Sequence, residues 1–251
     1  MNRLTEEQEH QEDEYNFPYH YLDLKLGSYR FMWSIEYLNH MEQVKNLLKP
    51  YNSQLILDAG CGDGRFCHEL SKENIRIVGV DFSKNAIGFA KSFNPDVEFF
   101  VQDLEDLNLK YKFDYVLLIE TLEHFIPEKI PIILQNISNV LKKEGKLIVA
   151  VPSKNLPLCK KHYQHFTKES LAKTLESSFK VVDISGYSKT GYKRKIFLGL
   201  RYLGYFLYPL NEINFIKKFF IFLNNYYKKN LAAGPPDDCL GLIAVCEKRD
   251  K

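Results

Sequence analysis

Four short apolar runs each lead into a carboxylate: Asp58 after Leu55-Ile-Leu, Asp81 after Ile75-Arg-Ile-Val-Gly-Val, Asp103 after Val97-Glu-Phe-Phe-Val-Gln, and Glu120 after Phe113-Asp-Tyr-Val-Leu-Leu-Ile. Acids repeated at that place suit a cationic, hydroxyl-rich ligand and repel a pyrophosphate, because a carboxylate only accepts hydrogen bonds and repels an anion. Directly after Asp58 come three glycines at alternate positions, Gly60, Gly62 and Gly64, around Cys61. Glycines there tolerate positive φ and let a ligand approach the backbone. A carboxylate about twenty residues further on is where dinucleotide-binding folds hold a ribose. Asp81 stands there, although it would equally serve as the N-cap of a helix beginning near Ser83. Asp103 could accept from the exocyclic amine of an adenine, with Phe82 or Leu104 covering the ring. Gln102, Ile119 and Glu120 complete the candidate ligand-binding edge. The glycine loop departs from G-x-G-x-x-G, since Arg65 holds the third glycine position and Gly64 comes one residue early. A ligand with adenine, ribose, a sulfonium and an amino-acid tail therefore fits these acids better than NAD does.

Histidines follow on the other side. His124 closes Glu120-Thr-Leu-Glu-His124, and His162 and His165 lie in Lys161-His-Tyr-Gln-His-Phe-Thr167, soon after Val151-Pro-Ser153. An imidazole titrates near neutral pH and can take the proton of a hydroxyl acceptor, a contribution of about 10²–10⁴-fold. His124 and His162 are the candidate catalytic bases. The competing role for Glu123 and His124 is to cap the next helix or to pair with each other. Of His162 and His165, one is expected to be structural. Glu120, Glu123, His124 and a later histidine also form a donor set able to hold Mg²⁺ or Mn²⁺.

These residues need strands and helices to position them. Leu55–Ala59, Ile75–Val80, Val97–Val101, Phe113–Ile119 and Lys146–Val151 read as buried strands. Helical stretches lie between them, one from about Arg65 and the clearest from Pro127 to Leu141, with Ile130, Ile133, Leu134, Ile137, Val140 and Leu141 on one stripe. Strands alternating with helices imply a parallel sheet that binds ligands at the carboxyl ends of its strands. Phe179–Ser185 and Leu240–Cys246 read as two final strands, separated by an excursion from Gly186 to Cys239. Upstream, Ser28–Leu48 reads as a helix stopped by Pro50, after a segment rich in aromatic residues (Tyr15, Phe17, Tyr19, Tyr21, Tyr29).

In order and spacing, LDAGCGDGRF, VGVDFSKNAIGFAK, VQDLEDL and FDYVLLIETLEHF resemble the signature segments of class I S-adenosylmethionine-dependent methyltransferases. The resemblance covers about residues 50–185 and a last strand near 240–246. It implies an α/β, Rossmann-like seven-stranded sheet with the last strand antiparallel and helices on both faces. It further implies that the Asp58–Gly62 loop meets the methionine tail, Asp81 the ribose, Asp103 and Leu104 the adenine, and that Phe82 packs on the purine. The Glu-x-x-Glu-His set is similar to the ligands of small-RNA 3′-terminal methyltransferases and resembles ubiquinone-pathway O-methyltransferases. Glu-His at this point is also widespread in metal-free relatives, so a divalent metal is not favoured and no residue is assigned to one. Asp13–Tyr21 and the Lys161–Thr167 loop resemble enzymes encoded for surface-saccharide assembly. That resemblance makes a sugar hydroxyl, free or lipid-linked, the first choice of acceptor. Other small metabolites methylated on oxygen or nitrogen remain as alternatives, together with a non-catalytic cofactor-binding scaffold.

Composition bounds the rest. The 251 residues are 45% hydrophobic and 26% charged, with a mean hydropathy of -0.30, which fits a folded soluble chain and excludes a disordered one. The acidic start (Glu6, Glu7, Glu9, Glu12, Asp13, Glu14) has no apolar segment of the secretory kind, and the five cysteines form no C-x-x-C pair. Both point to a cytoplasmic protein with reduced thiols. The net charge of +2 hides an uneven distribution: Tyr187 to Asn230 holds nine basic residues, thirteen aromatic ones and a single acid, Glu212. Within it, Ile213–Leu223 reads as an amphipathic helix, with Asn214, Lys217 and Lys218 apart from Phe215, Ile216, Phe219, Phe220 and Phe222. A helical lid over a small-molecule acceptor, a peripheral membrane contact through 187–230, and nucleic-acid binding compete for this stretch. The near-neutral total and the lack of an RNA-binding motif disfavour the last. The expected organisation is an N-terminal tail and aromatic helical segment (1–50), a cofactor-binding core (51–186), a basic aromatic insertion or lid (187–238) and a last strand (239–251).

Overall fold

The computed structural model describes residues 12–13, 15–22, 34–48, 54–210 and 212–249. Its strands are β1 (Leu55–Ala59), β2 (Arg76–Asp81), β3 (Glu98–Val101), β4 (Phe113–Ile119), β5 (Leu141–Pro152), β6 (Phe179–Lys189), β7 (Ala233–Gly234) and β8 (Cys239–Lys248). They form one sheet in the order β3-β2-β1-β4-β5-β8-β6-β7. β1 to β5 pair in parallel, and β8 inserts antiparallel between β5 and β6. Seven strands make the expected Rossmann-like sheet. The eighth is the two-residue β7, which pairs with Gly186 and Tyr187 and so draws β6 four residues past its expected end. β5 begins at Leu141 rather than Lys146, because Leu141 pairs with Phe113 across an irregularity in the ladder.

The pleat sorts side chains to two faces. Leu57, Val116, Leu118, Leu147 and Val149 meet Ile133, Leu134 and Ile137 of α4 (Ile130–Val140) and Leu171 and Leu175 of α5 (Lys168–Leu175). We number the helices before these α1 (Ser34–Leu47), α2 (Arg65–Ser71) and α3 (Lys84–Phe93). The alternate strand residues, Ile56, Leu117 and Ile148, pack with Met41 and Val44 of α1, Phe66 and Leu70 of α2, and Ile87 and Ala90 of α3. The part of the expected Ser28–Leu48 helix before Ser34 lies outside the described residues. The Pro127–Leu141 helix resolves into a 3-10 turn, Pro127–Lys129, followed by α4.

The excursion holds two helices, α6 (Tyr192–Leu207) and α7 (Asn214–Asn230). Ile35 of α1 joins Phe197, Ile216, Phe220, Leu223 and Tyr227 in a third, smaller core. The apolar residues expected together on α7 divide: Ile216 and Phe220 turn inward, while Phe215 and Phe222 face outward. Polar contacts fix the pair of helices to α1. Arg194 and Arg201 both bind Glu36, at 2.7 and 3.0 Å, and the Asn39 amide donates to Asn224 at 2.9 Å. No described helix is long and apolar enough to cross a membrane.

Candidate active site

The carboxyl ends of β1 to β4 open on one cavity of about 550 Å³, within the range of small-molecule sites. The residues nominated from the sequence all line it. Asp58, Gly60, Cys61 and Gly62 come from the first strand and its loop, and Asp81 and Phe82 from the end of β2. Gln102, Asp103 and Leu104 follow β3, Ile119 and Glu120 close β4, and His124 and His162 face the same space.

Local chemistry shapes each contributor. Gly60 has φ +84°, and a side chain there would strike Thr121 on the neighbouring loop. Gly62 has φ +53° and lies against the Tyr15 hydroxyl. Asp81 is not the helix N-cap expected as its alternative role. Ser83 is the N-cap of α3, its hydroxyl accepting from the Ala86 N–H at 2.9 Å. The Asp81 carboxylate instead accepts from the N–H groups of Gly62 and Ser83, both at 2.9 Å, and ties the glycine loop to the end of β2. Asp103 caps a 3-10 turn, accepting from Glu105 N–H at 3.0 Å. The Gln102 side chain holds Asn108 through both its amide atoms.

Electrostatics favour a positively charged occupant. Burial pushes the Asp58 carboxyl up to about 7 against a hydrogen bond from the Cys67 thiol. Burial pushes Asp81 up to about 6, opposed by its two backbone donors. Burial likewise pushes Glu120 up to about 7, and positive charge placed beside Asp58, Asp81 and Glu120 would favour their ionised forms. The cavity, the acids and the open glycine backbone thus fit a ligand of the adenosyl-sulfonium kind.

At the far end, Glu120 adopts a left-handed backbone, φ 49°, and accepts a hydrogen bond from Tyr187 of β6. A non-glycine residue held there stores strain of a kind that clusters at functional sites. Glu123 is fully buried, and neither of its carboxylate oxygens has a hydrogen-bond partner. Burial, with the Glu120 charge second, raises its carboxyl well above the usual range. The helix-capping and Glu123–His124 pairing roles are not what is seen. His124 Nδ1 lies 3.1 Å from the Lys161 carbonyl, which can only accept, so the proton sits on Nδ1 and Nε2 keeps its lone pair. His165 is the structural member of its pair, buried with Nδ1 2.9 Å from the Leu156 carbonyl. Its Nε2 lies 2.8 Å from His162 Nδ1, which links the two rings. Burial lowers His124 to about 4, which keeps its ring neutral at physiological pH. Candidate ligand atoms of Glu123, His124 and His162 lie within 4.8 Å of one another, close enough to hold a cation.

Sequence reasoning missed the wall opposite the sheet. Tyr37, His40 and Met41 of α1 line the cavity, as do Tyr15, Tyr19 and His20. His20 Nδ1 lies 3.0 Å from buried Asp63, and its ring stacks on Tyr37 at 5.3 Å. His40 stacks on Tyr187 at 4.0 Å, and burial lowers it to about 4. The signals were available: an N-terminal stretch too aromatic for a linker, and His40 and Met41 three and four residues after Tyr37. No described residue of 187–230 lines the cavity, and α1 stands between it and the α6–α7 pair.

Residues 52–196 match the family model described as a methyltransferase domain, which is more than half the chain. The protein belongs to this family, and its fold is that of class I S-adenosylmethionine-dependent methyltransferases. Over 104 residues it is 29% identical to a ubiquinone biosynthesis O-methyltransferase of Bradyrhizobium diazoefficiens, covering 40% of each chain. A second enzyme of that description, from Pelagibacter ubique, is 30% identical over 118 residues, 45% of this chain and 48% of the relative. The matches thus span less than half the length of these curated relatives. Among solved structures, the N-methyltransferase NodS of Bradyrhizobium japonicum, in complex with S-adenosylhomocysteine, superposes with a TM-score of 0.63 at 13% identity. That match covers 98% of this chain and 100% of NodS. A possible histamine N-methyltransferase from Thermotoga maritima gives 0.61 at 19% identity, covering 96% and 99%.

Proposed function

We propose that the protein is a cytoplasmic S-adenosylmethionine-dependent O-methyltransferase. Its acceptor is a hydroxyl of a small molecule or saccharide, free or lipid-linked, and S-adenosylhomocysteine is the product. When bound, S-adenosylmethionine supplies a methyl group already activated by its sulfonium. Asp58 and the Gly60–Gly62 loop would hold the methionine tail, Asp81 the ribose hydroxyls, and Asp103 with Leu104 and Phe82 the adenine. Gln102 and Ile119 would complete the wall. The observation that supports the acceptor reading is the pair of imidazoles, His124 and His162, whose rings lie 4.7 Å apart in the wall of the same cavity as the strand-end acids. A hydroxyl placed there gives its proton to an imidazole as its oxygen attacks in line, and the alignment supplies most of the rate. The 187–230 stretch would bring a lipid-linked acceptor to the enzyme by meeting a membrane.

An amine acceptor is the second reading, favoured by Glu123, whose buried, unpartnered carboxylate would take the proton of a bound ammonium and leave a neutral amine whose lone pair attacks the methyl group.

The test is a labelled-methyl assay on cell extract with the wild type, His124→Ala and His162→Ala. Loss of a base should lower turnover by about 10²–10⁴-fold in at least one variant. Full activity in both would remove the histidines from the mechanism. Treatment with a chelator should leave turnover unchanged; loss restored by Mg²⁺ or Mn²⁺ would put a cation among Glu123, His124 and His162 instead.

A further inference from the structure

We propose that the outward face of α6 and α7 docks the enzyme on an anionic lipid bilayer, which deepens the membrane contact in the functional reading above and rests on it. Twelve of the twenty-one large apolar side chains exposed among the described residues fall between Tyr192 and Phe222. Many are strongly exposed: Tyr192 at 70%, Phe206 at 65% and Phe215 at 77%. On α6 Phe197 and Gly204 turn inward, with Leu200, Leu207, Arg194 and Arg201 half-buried beside them. Ile196, Leu203 and Phe206 run along the open side at helical spacing, with Tyr192, Tyr202 and Tyr205 beside them and Leu210 exposed in the turn that follows. Exposed apolar side chains gathered in this number on one helix pair mark an interaction site. Tyrosines around an aliphatic stripe suit the boundary between headgroups and acyl chains, where one end of the ring is wet and the other is not.

Charge selects the occupant. Arg194 and Arg201 are engaged with Glu36, Lys228 with Glu42, and Lys217 with Glu212. Lys195, Lys218 and Lys229 are exposed and have no acidic partner among the described residues. The sole acid of the 187–230 stretch, Glu212, is thus already paired. A second copy meeting this face across a two-fold axis would set lysines against lysines, whereas phospholipid headgroups of negative charge would neutralise them. The surface also lies where an acceptor would profit. β6 runs in the same direction as β5, so α6 begins at the edge of the sheet that carries the cavity, and Tyr187 at the end of β6 touches Glu120. Among the described elements, α1 lies between the docking helices and the site.

Flotation of the full chain with phosphatidylcholine vesicles, with and without phosphatidylglycerol, tests this directly. The wild type should float with the anionic vesicles and detach as salt rises. Leu203→Glu/Phe206→Glu should lose flotation, and Lys195→Glu/Lys218→Glu/Lys229→Glu should weaken it about a hundredfold. Both variants should keep the wild-type melting temperature and S-adenosylmethionine affinity, since the changed side chains lie on the surface and away from the cavity. Equal binding to neutral and anionic vesicles, no binding to either, or variants that float like the wild type would overturn the proposal. So would a wild-type dimer in sedimentation that Leu203→Glu/Phe206→Glu dissociates without any lipid binding. Methyl transfer to a water-soluble acceptor alongside failed flotation would reject the docking face and leave the catalytic reading standing. Flotation without methyl transfer would do the reverse.

Discussion

Asp81 shows how one side chain serves both the fold and the ligand. Its two oxygens pin the glycine loop to the end of β2 while the carboxyl faces the cavity. Asparagine could keep one of the backbone bonds but not the charge, and hydrogen bonds to charged groups contribute about 1.5–3 kcal/mol. Asp81→Asn should therefore weaken S-adenosylmethionine binding by roughly ten- to hundredfold in calorimetry; unchanged affinity would move the ribose contact elsewhere. The four strand-end acids were legible in the sequence because each falls at or within two residues of the end of an apolar run, so local pattern alone places it. His40 and Tyr187 were not legible. Their contact joins positions far apart in the chain, and only the packing of α1 against the end of β6 creates it. The isolation of Glu123 was equally hidden, since a sequence shows a carboxylate but not the donors it lacks.

Among the elements, the turn from β1 to α2 and helix α1 carry the site. Gly60→Ala places a methyl group against Thr121 and forces a left-handed backbone on an L-residue, a conformational cost of about 1–2 kcal/mol before the clash is counted. Stability and cofactor affinity should both fall in thermal melts and calorimetry. Adding Thr121→Ala, which removes both the methyl and the hydroxyl that the new Cβ would strike, should recover only the steric part, and full recovery would show that the backbone is not strained. The α6–α7 pair behaves as a separate packing unit, fastened to α1 but absent from the cavity. Phe220→Ala should cost about 3–5 kcal/mol of stability in denaturant unfolding and leave the cofactor affinity within about twofold, because α1 also packs on the sheet core through Met41 and Val44. The sequence marked one helix in this excursion where there are two. In α6 apolar residues occur on every side, so hydrophobic periodicity gives no boundary to read.

Across the whole molecule, the buried titratable groups set opposite pH trends that the ligand should separate. Asp58 and Asp81 have carboxyls raised from 3.8 to about 7 and about 6. Without ligand the fold keeps protons that the unfolded chain releases, so these two contribute stability below pH 3.8 that is lost as pH rises through 6 and 7. His40 and His124 are lowered from 6.5 to about 4. They contribute stability above pH 6.5 that is lost as pH falls towards 4, because the unfolded chain then takes up protons the fold refuses. Between about pH 4 and 6.5 the two trends oppose each other, which should flatten the melting temperature of the ligand-free protein there. A cationic cofactor among the acids lowers their pKa values, removes the carboxylate trend and leaves the histidine one. Binding must then release protons, and the affinity should weaken by up to about tenfold per pH unit for each proton as pH falls below 7. The rise in melting temperature on adding S-adenosylmethionine should accordingly be small at pH 5, grow through pH 6 and 7, and level off above. Calorimetry at pH 6.5 should show a binding heat that changes with the ionisation enthalpy of the buffer. A thermal shift constant from pH 5 to 8, with no buffer dependence, would mean that Asp58 and Asp81 stay ionised in the empty site and that burial does not govern their charge.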